Sequence, residues 1–256
     1  MKINGSVAVV TGGASGLGLG VVTMVAKNGG KAAILDLGAS EGASLASELG
    51  DSVVFIPTDV TDTSSVENAF GEVKKAFGRV DVCVNSAGTG VGKRVLNKDK
   101  AMFPLDLYKK VVDLNLIGLF DVVRHAARAM SDNEPGVDDE RGLIVNVASI
   151  AGYEGQVGQA AYAASKGGVI ASTLPLARDL ASWGIRVMTI APGIMDTAML
   201  AGVDEKVKAA VTEIALFPRR LGNGDDFASL VGHMMENNLL NGEVVRLDAG
   251  TRLAAR

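Results

Sequence analysis

Short apolar runs recur along the chain, separated by longer stretches of helical periodicity. The runs are "SVAVV" (6–10), "AAILD" (32–36), "SVVFI" (52–56), "VDVCVN" (80–85), "GLIVNVAS" (142–149), "IRVMTIAP" (185–192) and "GEVVRLD" (242–248). They are apolar on both faces, as strands are when helices cover a parallel sheet on each side. Residues 17–28, 41–49, 64–77, 106–130, 158–182 and 225–236 carry the patterns expected of the intervening helices. Regular β-α alternation with right-handed crossovers predicts an α/β, doubly wound, seven-stranded parallel sheet with helices on both faces, in one domain over residues 1–256. In such a sheet ligands bind at the carboxyl ends of the strands.

Three segments interrupt this rhythm. Residues 89–105 form a long connection carrying Lys93, Arg94, Lys98 and Lys100. Residues 131–141, "SDNEPGVDDER", are acidic and turn-rich, which predicts a solvated loop. Residues 193–217 contain "MLAGVDEKVKAAVTEIALF", long enough for a helix or two, and are expected to act as a substrate lid.

Composition narrows the partners. A hydrophobic share of 48% over 256 residues suffices for a buried core. With 25 basic and 29 acidic residues and 4% aromatics, the chain lacks the electrostatic footprint of a nucleic-acid binder, so a small molecule is the expected partner and nucleic acid is not. No uncharged apolar run reaches the length of a membrane span, and residues 1–13 enter a strand at once, so no membrane association and a cytoplasmic location are expected. One cysteine and two histidines, Cys83, His125 and His233, offer neither an intrachain disulfide nor a metal site, and Cys83 lies in a strand run as a buried structural thiol.

The candidate chemistry sits at the predicted strand ends. The first strand runs into "TGGASGLG" (11–18) and then a helix, the arrangement of a Rossmann-type turn. Gly12 permits a tight turn, Gly16 a close approach to a pyrophosphate and Gly18 close helix packing, while the helix start offers amide donors. Asp36 ends the second strand eighteen residues past Gly18, where a carboxylate accepts hydrogen bonds from both ribose hydroxyls of NAD. Leu37 and Gly38 follow it, so no adjacent cation favours the extra phosphate of NADP. Asp59 follows the third strand, either beside an adenine or as an acid at the next helix start. Asn115 stands in the apolar run "VVDLNLIGLF", where its amide must find partners. Ser149 ends the fifth strand thirteen residues before Tyr162, and Lys166 follows Tyr162 by one helical turn on the same face.

In this order and spacing, "TGGASGLG", Asp36, Asp59, "NSAG" (85–88), Asn115, Ser149, "YAASK" (162–166) and "PG" (192–193) resemble the short-chain dehydrogenase/reductase family over essentially the whole chain. The resemblance implies cofactor contacts from Ser15, Leu17, Val60, Ser86, Ala87, Gly88, Pro192, Met195 and Thr197, beside Gly12, Gly16, Gly18, Asp36, Asp59, Tyr162 and Lys166. Ser86 stands where the family usually has Asn or another small polar residue. It further implies that Tyr162 is the acid/base, that Lys166 assists it and holds the nicotinamide ribose, that Ser149 binds the reacting oxygen, and that Asn115 holds a water in a proton relay.

A closer similarity, through "NEPG", "EGQVGQAAYAASKGG", "FPRRLG" and "NGEVVRLD", is to the subgroup acting on 3-hydroxyacyl-CoA. It implies a substrate contact from Gln156 with Ser149 and Tyr162, coenzyme A on the basic 89–105 loop, and a homotetramer. Tetramer contacts are expected along the helix of residues 158–182 at Ala160, Ala164, Gly168 and Ala171. A hydroxysteroid or general secondary-alcohol dehydrogenase is the alternative chemistry, and a binding or scaffold subunit the alternative of another class.

Overall fold

The computed structural model describes residues 1–197 and 212–255. Within them, β1 (Val7–Thr11), β2 (Lys31–Asp36), β3 (Val53–Pro57), β4 (Val82–Asn85), β5 (Gly142–Val147), β6 (Ile185–Pro192) and β7 (Val244–Leu247) form a seven-stranded sheet in the order β3-β2-β1-β4-β5-β6-β7. Every pairing is parallel. The doubly wound α/β architecture expected from the sequence is the one observed. The order reverses between β1 and β4, and a crevice opens there at the carboxyl edge.

Side chains alternate across each strand, so the sheet feeds two cores. Val7, Val9, Ala33, Leu35, Cys83 and Ile144 pack with α3 (Thr63–Phe77), α5 (Leu119–Met130) and α6 (Ala160–Leu180). Ala8, Val10, Ala32, Ile34, Val82 and Val84 pack with α1 (Gly16–Lys27) and α7 (Gly224–Glu236). β1, β4, β5 and β6 are buried throughout, whereas β7 and most of β3, at the edges, are only partly covered. Cys83 is fully buried, and burial pushes its thiol up to about 12, as befits a structural residue.

Two features depart from the sequence pattern. The long helix expected over 106–130 is interrupted: α4 (Leu105–Val112) and α5 flank a π-helical turn at Asp113–Gly118. This widened turn holds Asn115. The acidic 131–141 segment is partly structural rather than a purely solvated loop. Glu140 pairs with Arg186 of β6 at 2.7 Å, both side chains 8% exposed, and buried Asn133 donates to the carbonyls of Val80 and Arg141. Arg186 and Val80 lie far along the chain, which local composition does not report.

The expected lid of residues 193–217 falls largely outside the described residues, with 193–197 and 212–217 inside them. Among the described residues no helix is long and apolar enough to cross a membrane.

Candidate active site

Parallel register brings the candidate residues to one edge. Thr11 pairs with Leu35 and Asn85, Asn85 with Asn146, and Val147 with Ile190, so β1, β2, β4, β5 and β6 deliver their carboxyl ends to one cleft of about 720 Å³.

One side of the cleft is built from backbone. Gly12 has φ +63°, a left-handed conformation, and a Cβ there would stand 2.8 Å from the Ala87 amide nitrogen. Ser15, at the start of α1, makes no side-chain cap to its helix, and no acid occupies the first turn. The first amides of α1 therefore remain free to take an anionic group, with the helix dipole in support. By contrast, α3 is capped by Asp62 and α7 by Asn223 in a reciprocal capping box. Gly12, Ser15, Gly16 and Leu17 all line the cleft. Gly18 does not; it is buried behind the turn, where a Cβ would meet Gly13 Cα at 3.0 Å, so its part is packing rather than contact.

Asp36 faces this turn from the end of β2. Its carboxylate accepts from the amides of Ala14 at 3.1 Å and Leu37 at 2.8 Å, which fixes its orientation at the cleft. Asp59 and Val60 lie beyond it. Asp59 folds its own loop by accepting from the Thr61 amide and hydroxyl at 2.9 and 2.7 Å, while the cap of α3 is Asp62. Ser86, Ala87 and Gly88 form the adjoining wall, and Thr11 Oγ1 accepts from the Ser86 and Ala87 amides at 3.2 Å each. Pro192, Met195 and Thr197 close the side beyond β6.

Across from this cradle stand Ser149, Tyr162 and Lys166, with Gln156 also lining the cleft. Ser149 caps a 3₁₀ turn, Ile150–Gly152, by accepting from the Ala151 amide at 3.1 Å. Tyr162 and Lys166 share a face of α6, and the Lys166 ammonium lies 6.0 Å from the phenol ring centroid. Lys166 Nζ donates to the Val147 carbonyl at 2.7 Å, and burial pulls its pKa down to about 8. Burial raises the Tyr162 phenol, and the Ser149 hydroxyl against it pulls in the opposite direction. Burial outweighs the Ser149 hydroxyl, so the protein's own groups hold the phenol above its ordinary value. A buried phenolate loses solvation, and the ammonium meant to offset it is itself buried and committed to a carbonyl.

Asn115 is fully buried behind this group and does not line the cleft. Its Oδ1 accepts from the Thr89 amide at 2.8 Å, and its Nδ2 donates to the Thr89 carbonyl at 2.8 Å and to Ser165 Oγ at 3.0 Å. Gly88 leaves the space between: a Cβ there would sit 3.3 Å from Asn115 Oδ1 and 3.4 Å from Lys166 Nζ. Thr11, Thr89 and Ser165 were not singled out from sequence. Ser165 sits inside "YAASK" and Thr11 closes β1, the one local hint each gives.

The Gly-rich cradle, the acid at the end of β2 and the group of half-buried Ser149 and Tyr162 with buried Lys166 together define a nucleotide-dependent site. A family model described as short chain dehydrogenase matches residues 6–208, and the chain belongs to that family. Membership implies a nicotinamide cofactor, and the uncapped start of α1 with the open turn at Gly12 fits one. The 3-hydroxyacyl-CoA dehydrogenase type-2 of Homo sapiens is 48% identical over 253 residues, covering 98% of this chain and 97% of that protein. The Drosophila melanogaster protein of the same name is 46% identical over 252 residues, covering 98% and 99%. A crystal structure of 3-hydroxyacyl-CoA dehydrogenase type-2 from Mycobacterium avium superimposes with a TM-score of 0.94 at 42% identity, covering 98% of each chain.

Proposed function

We propose that this protein is an NAD-dependent dehydrogenase that interconverts a 3-hydroxyacyl-CoA and a 3-ketoacyl-CoA. The observation that carries the reading is the placement of Ser149, Tyr162 and Lys166 in one cleft with Asp36 and the α1 turn. NAD, when bound, supplies the hydride acceptor. Tyr162 takes the hydroxyl proton of the alcohol in oxidation and returns it in reduction. Ser149 hydrogen-bonds the reacting oxygen and stabilises its developing charge. Lys166 holds the nicotinamide ribose and, with Asn115 behind it, passes the proton on towards solvent. The 46–48% identity to proteins named 3-hydroxyacyl-CoA dehydrogenase type-2 supports the acyl-CoA assignment. The direct test measures NADH oxidation with acetoacetyl-CoA against a 17-ketosteroid. Turnover of the thioester is expected to dominate, and a preference for the steroid would transfer the site to the alternative chemistry.

Asp36 supports NAD over NADP, because a fixed carboxylate at the ribose repels a 2′-phosphate. Like charges set against each other cost several kcal/mol, so Asp36→Ala should shift the ratio of kcat/KM for NADPH over NADH upward on the order of a hundredfold. An unchanged ratio would place the discrimination elsewhere.

The basic connection supports coenzyme A. Lys93, Arg94, Lys98 and Lys100 are exposed, and among the described residues none forms an ion pair. The segment is anchored rather than loose: the Lys93 amide donates to the Gly158 carbonyl at 2.8 Å, and Leu96 bridges Met102 around a turn. The segment begins beside Gly88 with Thr89 and Gly90, all of which line the cleft, and this adjacency supports a role for its cations in holding a nucleotide that trails from a bound acyl group. Replacing all four by Gln is expected to raise KM for acetoacetyl-CoA about tenfold, given a few tenths to 1 kcal/mol per exposed charge, and to leave KM for an acetoacetyl thioester lacking the nucleotide nearly unchanged. Equal effects on both thioesters would remove coenzyme A from this loop.

The reading includes a homotetramer. Exposed Ile117 in the π turn, Phe120 on α5 and Leu174 on α6 support it, as do the exposed Ala160, Ala164 and Ala171. Gly168 serves instead within the chain, where a Cβ would come within 2.7 Å of Leu116.

A further inference from the structure

Beside the cleft lies a charged cluster that no catalytic or cofactor role uses. Glu154, in the loop between β5 and α6, meets Arg246 at 2.9 Å and Arg252 at 3.5 Å. Asp248 meets the same two guanidinium groups at 2.7 and 3.0 Å. Two acids and two arginines thus alternate in a closed ring. Burial pushes the Glu154 carboxyl up, but its bonds to Arg246 and the Leu253 amide, with the charge of both arginines, hold it below its ordinary value. Asp248 is 7% exposed, and Glu154 and Arg246 are each under a quarter exposed, so this is a partly buried network rather than an isolated surface pair.

The ring fastens segment 251–255 against the approach to α6. Arg246 donates to the Thr251 carbonyl at 3.0 Å, and the Leu253 amide donates to Glu154 at 2.8 Å. Beyond it, Gln156 Nε2 donates to the Ala254 carbonyl at 3.0 Å and the Val157 amide to the Ala255 carbonyl at 3.1 Å. Gln156 Oε1 accepts from Gln159 at 3.4 Å, so both ends of its amide are engaged. The side chain expected to touch substrate is therefore held in place by this segment. Leu253, half-buried, lines the same cleft as Ser149 and Tyr162.

We propose that residues 251–255 are a fixed wall of the substrate cleft, that Leu253 limits the acyl chain accepted, and that the Glu154–Arg246–Asp248–Arg252 ring holds the wall and Gln156 in register. The inference rests on the acyl-CoA reading of the site. Leu253 acts on specificity and takes no part in proton or hydride transfer. Arg252 is a positioning residue: it belongs to the wall, donates to the Thr251 carbonyl at 2.7 Å, and fastens the segment by pairing with Glu154 and Asp248.

The experiment compares NADH-dependent reduction of acetoacetyl-CoA and 3-ketodecanoyl-CoA by the wild type, Leu253→Ala, Leu253→Phe and Arg252→Ala, with thermal melting of each. Leu253→Ala should raise the long-to-short ratio of kcat/KM about tenfold, the scale on which apolar pockets discriminate one or more methylenes, and Leu253→Phe should lower it. Arg252→Ala should shift the ratio toward the long chain through KM with kcat for acetoacetyl-CoA kept within about twofold. Opposite shifts from Ala and Phe are the signature of a wall; a structural role would move both thioesters together. Ratios within twofold of wild type in both Leu253 variants, or shifts in one direction, would overturn the proposal. A wild type that reduces neither thioester would overturn the acyl-CoA reading, and the proposal with it.

Discussion

Tyr162→Phe should lower kcat about a thousandfold while NADH binds within about twofold of wild type. The substitution removes one hydroxyl and keeps the ring that packs beside Lys166, so the cleft keeps its shape. General acid–base catalysis by a positioned group contributes on the order of a hundred- to ten-thousandfold, and the phenol is the group we propose provides it. The demand on it is considerable. A phenol with an ordinary pKa near 10 stands about 4 kcal/mol from full ionisation at pH 7, and burial moves it further from that range. Tyr162 is thus suited to exchanging its proton within the reaction rather than to standing ionised beforehand. Ser149, the hydroxyl that lowers the phenol, would contribute both to the substrate oxygen and to this exchange. Stopped-flow reduction of acetoacetyl-CoA and fluorescence titration of NADH separate the two effects. Near wild-type turnover by the Phe variant would remove Tyr162 from the chemistry.

What the sequence disclosed, and what it withheld, divides along the distance between partners. The strands were legible because a parallel sheet covered on both faces leaves unbroken apolar runs, and "IRVMTIAP" is a strand over all of 185–192. Gly12 and Asp36 were legible because a tight turn and a strand-end acid leave local signatures at a set spacing. The π turn at Asp113–Gly118 was not, since one widened helical turn leaves no trace in composition. Nor were the partners of Asn115. Its amide needed partners by its burial alone, but Thr89 and Ser165 lie 26 and 50 residues away along the chain. Leu253 was missed for the same reason: its place in the cleft depends on Glu154, 99 residues earlier. Glu140 read as part of a solvated loop because its partner, Arg186, arrives from β6, 46 residues later.

Lys166→Met is expected to abolish most activity and yet to stabilise the protein without cofactor, by up to about 3 kcal/mol at pH 7. The folded chain holds this ammonium where burial lowers its pKa from 10.5 to about 8. A shift of that size corresponds to roughly 3 kcal/mol between the two protonation states. Because the unfolded chain binds more protons between those values, stability of the wild type should climb as pH rises from about 8 to 10.5, and below pH 8 the whole cost is present. The Met variant lacks this climb, so its advantage should be largest at pH 7 and shrink through pH 9 and 10. Loss of the bond from Lys166 to the Val147 carbonyl offsets part of the gain, as an orphaned buried acceptor costs about 1–3 kcal/mol. Cys83 titrates in the opposite sense: its thiol, raised to about 12, makes stability fall above pH 9. That fall is common to both proteins and cancels in the difference. Urea unfolding of the two at pH 7, 8, 9 and 10 gives the comparison directly, and a constant difference would mean that Lys166 is not held against its solvation. A narrowing difference would identify the lysine as a group whose burial the fold tolerates for function, since the same apolar surroundings that make its charge costly place that charge beside Tyr162.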